Sequence, residues 1–166
     1  MKVLIKKNSI YLLTILILSV TSCDSNRVFD KYKSLPNASW HQNKKIKFSF
    51  TVTDTTLKYN LFINLRNNEA YEFSNLYIIT EMKFPNDTKI IDTLQYEMAD
   101  ANGKFLGKGF TDIKENKFFY KENIVFPVTG KYTFQVRQSM RKNGNAEGIE
   151  HLKGITDIGF RIAKSK

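Results

Sequence analysis

Lys44-Lys45-Ile46-Lys47-Phe48-Ser49-Phe50-Thr51-Val52-Thr53 alternates strictly between polar and apolar side chains. Successive side chains of a strand point to opposite faces, so Ile46, Phe48, Phe50 and Val52 share one apolar face and the lysines and hydroxyls the other. Outward from this stretch the period repeats. Tyr59, Leu61, Ile63 and Leu65 line a second strand after a turn at Asp54-Thr55-Thr56. Leu76 to Phe84 reads as a third strand, closed by Pro85-Asn86-Asp87, and Ile90, Asp92, Leu94, Tyr96 and Met98 alternate in a fourth. Asn102-Gly103 is a hairpin signal, because both residues tolerate positive φ. Lys104 to Phe110 is a weak strand, since Gly107 and Gly109 interrupt it. Lys117 to Phe126, Lys131 to Gln138 and Ile155 to Ala163 complete the set. About seven to nine strands at roughly ten-residue spacing, without an amphipathic helix, predict an all-β fold. The expected architecture is an antiparallel β-sandwich of jelly-roll or immunoglobulin-like type.

The chain has 166 residues, which bounds it to about one domain. A hydrophobic fraction of 42% and an aromatic fraction of 13% exclude a disordered or collagen-like chain. One Cys excludes an intramolecular disulfide and a Cys-rich metal centre, and two His leave little for a His-based cage or triad. The net charge of +10 admits nucleic acid, an anionic membrane or an acidic partner.

The N-terminus narrows that choice. Lys2, Lys6 and Lys7 form a basic region, and Ile10 to Val20 is an apolar run too short to span about 30 Å as a helix. Val20-Thr21-Ser22-Cys23 has the form of a lipobox: an aliphatic residue, two small residues, then Cys. Residues 1–22 are therefore expected to be a cleaved lipoprotein signal peptide. Cys23 is expected to become an acylated N-terminus, with diacylglycerol on sulfur and an acyl chain on nitrogen. Two or three acyl chains anchor stably where one does not, at about 0.8 kcal/mol for each buried CH₂. Asp24 is an inner-membrane retention signal in enterobacteria, a rule other phyla need not share, so the sequence leaves inner versus outer membrane open. An exported chain does not meet chromosomal DNA, which removes nucleic acid as a partner. Residues 23–42, polar with Pro36 and the single Trp40, read as a lipidated tether, and 43–166 as the β-sandwich domain.

No catalytic constellation emerges. His41 falls in the tether and His151 in a Gly-rich loop, both read as solvated surface residues. Asp100-Ala101-Asn102-Gly103 starts like a calcium loop, but Thr111 stands where the bidentate Glu is needed, so it reads as a hairpin turn. Gly103, Gly107 and Gly109 do not have phosphate-loop spacing. Asp54, Asp92, Asp112 and Asp157 read as turn or strand-end residues rather than a carboxylate pair. No metal or other cofactor is expected. Lys44, Lys45 and Lys47 read as a solvated face that blunts an edge strand. Tyr71, Phe73, Phe118, Phe119 and Tyr120 break strict alternation, which places some aromatic surface outside, where a partner can use it.

Several stretches together resemble the gliding motility lipoprotein family GldH of Bacteroidota. They are Cys23–Asp30 (CDSNRVFD), Tyr59–Asn68 (YNLFINLRNN), Ser74–Tyr77 (SNLY), Asp92–Asp100 (DTLQYEMAD), Gly103–Gly109 (GKFLGKG), Gln138–Arg141 (QSMR) and Gly154–Phe160 (GITDIGF). They run in order through the whole exported chain. The resemblance implies a non-enzymatic accessory lipoprotein of gliding motility and of the linked type IX secretion system, facing the periplasm. Partners would be other, unidentified proteins of that machinery, and Cys23 is the one functional residue carried over. A cell-envelope glycan-binding sandwich is the alternative. Asp54-Thr55-Thr56 and Asp92-Thr93-Leu94 also resemble the short O-glycosylation motif of that phylum.

Overall fold

A computed structural model describes residues 26–109 and 111–165. The expected signal peptide and Cys23 lie outside the described residues. Among the described residues ten strands form: β1 (Arg27–Ser34), β2 (Ser39–His41), β3 (Ile46–Val52), β4 (Tyr59–Asn67), β5 (Asn75–Lys83), β6 (Lys89–Glu97), β7 (Lys114–Ile124), β8 (Gly130–Gln138), β9 (His151–Lys153) and β10 (Ile155–Lys164). One short 3-10 turn, Pro36–Ala38, joins β1 to β2.

Two four-stranded antiparallel sheets, ordered β1-β10-β4-β7 and β3-β8-β5-β6, face each other, and β2 and β9 form a small ribbon at one end. With that ribbon set aside, the first strand pairs with the eighth, the second with the seventh, the third with the sixth and the fourth with the fifth. This is a jelly roll, one long antiparallel ribbon rolled into two sheets. It decides between the two sandwich types the sequence allowed.

The alternation read from the sequence becomes the core. On β3 every second residue from Ile46 to Val52 is buried, and its partner β8 buries Tyr132, Phe134 and Val136. Leu61, Ile63 and Leu65 of β4 and Ile158, Phe160 and Ile162 of β10 close the same core from the other sheet. Phe48, Phe50 and Phe134 of one sheet pack on Phe160 of the other.

The expected tether is corrected from Arg27 onward. Its residues form β1, the 3-10 turn and β2, and β1 pairs with β10 from Arg27↔Ala163 to Ser34↔Asp157. Phe29 packs on Phe50 and Phe160. Leu35 and Trp40 are buried, and the Trp40 indole donates to the Lys44 carbonyl at 2.9 Å. Three well-spaced apolar anchors do not make a period-2 pattern, so the segment reads as polar while its backbone completes a sheet edge.

The weak strand at Lys104 to Phe110 is also corrected. Among its described residues, only isolated bridges form, Ala99↔Phe105 and Lys108↔Glu115. A Cβ on Gly107 would stand 2.8 Å from Asn116 Oδ1, so the glycine serves close approach of the loop to β7 rather than a ladder. The Asn102-Gly103 turn does form, with Gly103 at φ +80°.

Strand direction gives the sandwich two unlike ends. β1 starts, β10 stops, β4 starts and β7 stops at the same end. That end carries the short connections 53–58, 84–88 and 125–129. The opposite end carries the longer segments 35–45, 68–74 and 139–154, and with them the β2–β9 ribbon.

Candidate functional site

The side of the sandwich where the edges of β6 and β7 meet is stitched by side chains. The Tyr120 hydroxyl donates to Asp92 Oδ2 at 2.8 Å, and Lys121 Nζ pairs with the same oxygen at 3.0 Å. Tyr96 stacks on Phe118 with ring centroids 4.3 Å apart, and its hydroxyl donates to the Phe119 carbonyl at 2.8 Å. Burial, with the Asp92 charge second, pushes the Tyr96 hydroxyl up to about 12. Burial likewise raises Tyr120, against a smaller lowering contribution from its Thr80 hydrogen bond. Asp92, Tyr96, Phe118 and Tyr120 therefore close the sandwich.

Their neighbours face outward. Ile91, 63% exposed, turns out from the β3-β8-β5-β6 sheet beside Ile79 and Gln135, and Phe119, 56% exposed, turns out from the other sheet against Phe62; they are the two most exposed large hydrophobic side chains described. Ile90 and Val125 are also exposed and border a groove of about 340 Å³ with Met82, Phe84 and Phe126. This side combines apolar contact area with a cation, Lys121, at the groove wall. Such a surface suits a protein partner rather than bond-making chemistry.

On the outer face of the β1-β10-β4-β7 sheet, three side chains lock three strands. Arg66 Nε pairs with Glu115 Oε2 at 2.9 Å, the guanidinium lies 4.4 Å from the Tyr32 ring centre, and the Tyr32 hydroxyl donates to Glu115 Oε1 at 3.0 Å. Burial first, then the Glu115 carboxylate, pushes the Tyr32 hydroxyl up to about 12. Arg161 Nη1 pairs with Asp30 at 2.7 Å, joining β10 to β1. Sequence alone does not reveal these contacts, because the partners are remote in the chain and meet only once the register is set.

The other sequence candidates fall as follows. Asp54 Oδ1 accepts from Thr56 N and Oγ1, which lowers the Asp54 carboxyl below its usual value. Asp157 accepts from Ser34 Oγ at 2.6 Å, Asp100 accepts from the backbone of Asn102 and Lys104, and Asp112 is exposed. Tyr71 is buried, its hydroxyl donating to the Asn75 carbonyl at 2.6 Å, and Phe73 is half-buried beside it. Lys44, Lys45 and Lys47 are exposed, with Lys47 on β3, an edge strand. Thr55 is half-buried in a turn, and Thr93 is exposed on edge strand β6. His41 and His151, remote in sequence, are brought opposite each other across β2 and β9, their rings edge to face with centroids 4.8 Å apart.

A family model described as GldH lipoprotein matches residues 27–162. "Gliding motility lipoprotein GldH homolog" of Christiangramia forsetii is 48% identical over 95% of this chain and 96% of its own length. "Gliding motility lipoprotein GldH" of Flavobacterium johnsoniae is 48% identical with the same coverage. Among solved structures, the VP2 subviral particle of infectious bursal disease virus aligns with a TM-score of 0.38 at 14% identity, over 86% of this chain and 34% of that one. A likeness at that level adds nothing to the topology described above.

Proposed function

The chain belongs to the GldH lipoprotein family, and from that premise we propose that it is a membrane-anchored, non-enzymatic interaction component of gliding motility and of the associated type IX secretion system. The names of its relatives in Christiangramia forsetii and Flavobacterium johnsoniae support the motility role. Cys23 is the acylated residue in this reading, and the domain faces the periplasm.

The observation that carries the anchored reading is where β1 begins. Only Asp24 and Ser25 separate Cys23 from Asn26, whose carbonyl already accepts from the Lys164 amide. An extended chain covers about 3.3–3.6 Å per residue, so the lipid sits within about 10 Å of the sheet. The end with short connections then faces the bilayer, and the end with long segments faces away. The stitched β6–β7 side, with the apolar groove bordered by Ile90 and Val125, stands roughly upright on the membrane. There it offers contact area to another protein of the machinery.

A clean deletion tests the role: spreading and secretion should fail together, and normal spreading would refute it. Site-specific photocrosslinkers at Ile90 and Val125 in intact cells test the surface. Capture of a motility or secretion protein from these positions, and not from Lys47, is the expected result.

A further inference from the structure

The chain has two histidines, and the fold sets them opposite each other. β2 and β9 pair as Ser39↔Lys153, Trp40↔Leu152 and His41↔His151. Trp40 and Leu152 are fully buried, which turns their neighbours His41 and His151 outward on one face. Glu150 lies just before β9, and its carbonyl accepts from the Gln42 amide at 2.8 Å, extending the ribbon past the histidines. Glu150 Oε1 is 3.6 Å from His41 Nε2 and 4.0 Å from His151 Nε2. One ligand atom from each of the three side chains lies within 4.8 Å of the others.

We propose that His41, Glu150 and His151 form a binding site for a divalent transition metal, with zinc the best fit. Metal–nitrogen and metal–oxygen bonds of about 2.0–2.2 Å in a tetrahedron separate neighbouring ligand atoms by about 3.3–3.5 Å. The observed separations need small rotamer movements only, because the ladder already fixes the backbone. Two imidazoles and a carboxylate suit zinc and its first-row neighbours, whereas calcium and magnesium take oxygen ligands. Three protein ligands leave a fourth position for water or for a partner's side chain.

The two rings are prepared differently. His151 Nδ1 lies 3.5 Å from Ser39 Oγ, where a proton on Nδ1 points at an acceptor and leaves Nε2 free for the metal. His41 Nδ1 accepts from the Asn43 amide at 3.1 Å, so its proton sits on Nε2, facing Glu150. Loading needs the other tautomer: the proton passes through water from Nε2 to Nδ1, the freed Nε2 lone pair binds the metal, and the exposed Asn43 amide turns to water. The site depends on neither acylation nor the motility role.

Zinc alone is the probe, titrated calorimetrically into the full-length chain purified in detergent, with cobalt absorption reporting coordination. One zinc per chain is expected. His41→Gln and His151→Gln should each weaken binding by about tenfold or more. Glu150→Gln should weaken it too, and Glu147→Gln, a neighbouring exposed carboxylate, should not. Circular dichroism confirms that each variant is folded, as expected for side chains at the surface. Absence of saturable binding, half a zinc per chain, or unchanged affinity in the histidine variants would overturn the proposal.

Discussion

Phe134 of β8 and Phe160 of β10 stack across the two sheets with ring centroids 4.0 Å apart and planes 15° from parallel. Phe160 also touches Phe29, Phe48 and Phe50, so one ring joins β1, β3, β8 and β10. Truncating a buried Phe to Ala typically costs about 3–5 kcal/mol. Phe160→Ala is expected near the top of that range, because its surroundings are held by ladders and cannot collapse into the space. Equilibrium urea unfolding measures it, and a loss below about 1 kcal/mol would contradict this packing role.

Two glycines with nearly the same backbone should respond very differently to alanine. Gly154 has φ +84° and Gly144 φ +83°. A Cβ on Gly144 meets nothing within 4 Å, whereas on Gly154 it would collide with the backbone of Ala70 and Tyr71. Gly144→Ala then bears only the left-handed conformation, about 1–2 kcal/mol. Gly154→Ala must also push apart the 68–74 segment and the start of β10, and should cost several times as much. Similar urea midpoints for the two variants would show that contact at Gly154 is unimportant.

What could be read in advance follows from what each pattern depends on. Ile46 to Val52 and Tyr132 to Val136 were legible because period-2 alternation needs only a buried face. Jelly roll versus immunoglobulin-like was not, because both use the same strands and differ only in pairing. β1 escaped because two isolated rings, Phe29 and Tyr32, and one ion pair, Asp30–Arg161, hold a strand whose other side chains are solvated, and these do not make a period-2 pattern. Gly107 and Gly109 signalled weakness correctly, but whether they allow a bulged strand or a close-packed loop depends on what lies beneath each, Asn116 under Gly107 and the Ile113 carbonyl under Gly109. His41 and His151 looked unrelated because their register arises only from the completed roll, whereas the lipobox is a local word that needs no fold.

Integration of the leader makes a prediction about truncation. A chain beginning at Asn43 loses β1, Leu35 and Trp40, which bares the β10 edge and empties a site filled by an indole. It should show no cooperative urea transition by circular dichroism. A chain beginning at Asn26 should unfold cooperatively. If the shorter chain were equally stable, β1 would be an accessory strand and the leader a tether after all.

Alkaline pH should destabilise the fold through its tyrosines. Tyr32 and Tyr96 are pushed up to about 12 from 10.0, first by burial and then by Glu115 and Asp92 respectively. Burial raises Tyr71 as well. The unfolded chain releases these protons near pH 10, while the folded chain keeps them to about 12. Their stabilising contribution is therefore complete below pH 10 and is lost as pH rises towards 12. Urea midpoints should be level just below pH 10 and fall above it. Tyrosinate absorbance at pH 11 should show only part of the tyrosines ionised until the protein unfolds. Ionisation of all of them together near pH 10 in the folded chain would disprove the assignment.

Anchoring through Cys23 separates a lipid role from a folding role. Cys23 lies before the first paired residue, so Cys23→Ala should leave the thermal unfolding of the exported domain unchanged. It should abolish incorporation of a clickable fatty acid and leave the precursor uncleaved. If the domain works only beside the bilayer, the variant should also fail to restore spreading to a deletion strain, although the protein accumulates. Labelling that persists in the variant would move the anchor elsewhere. Restored spreading without labelling would show that the fold acts without the lipid, and the proposed upright placement of the β6–β7 side would then lose its basis.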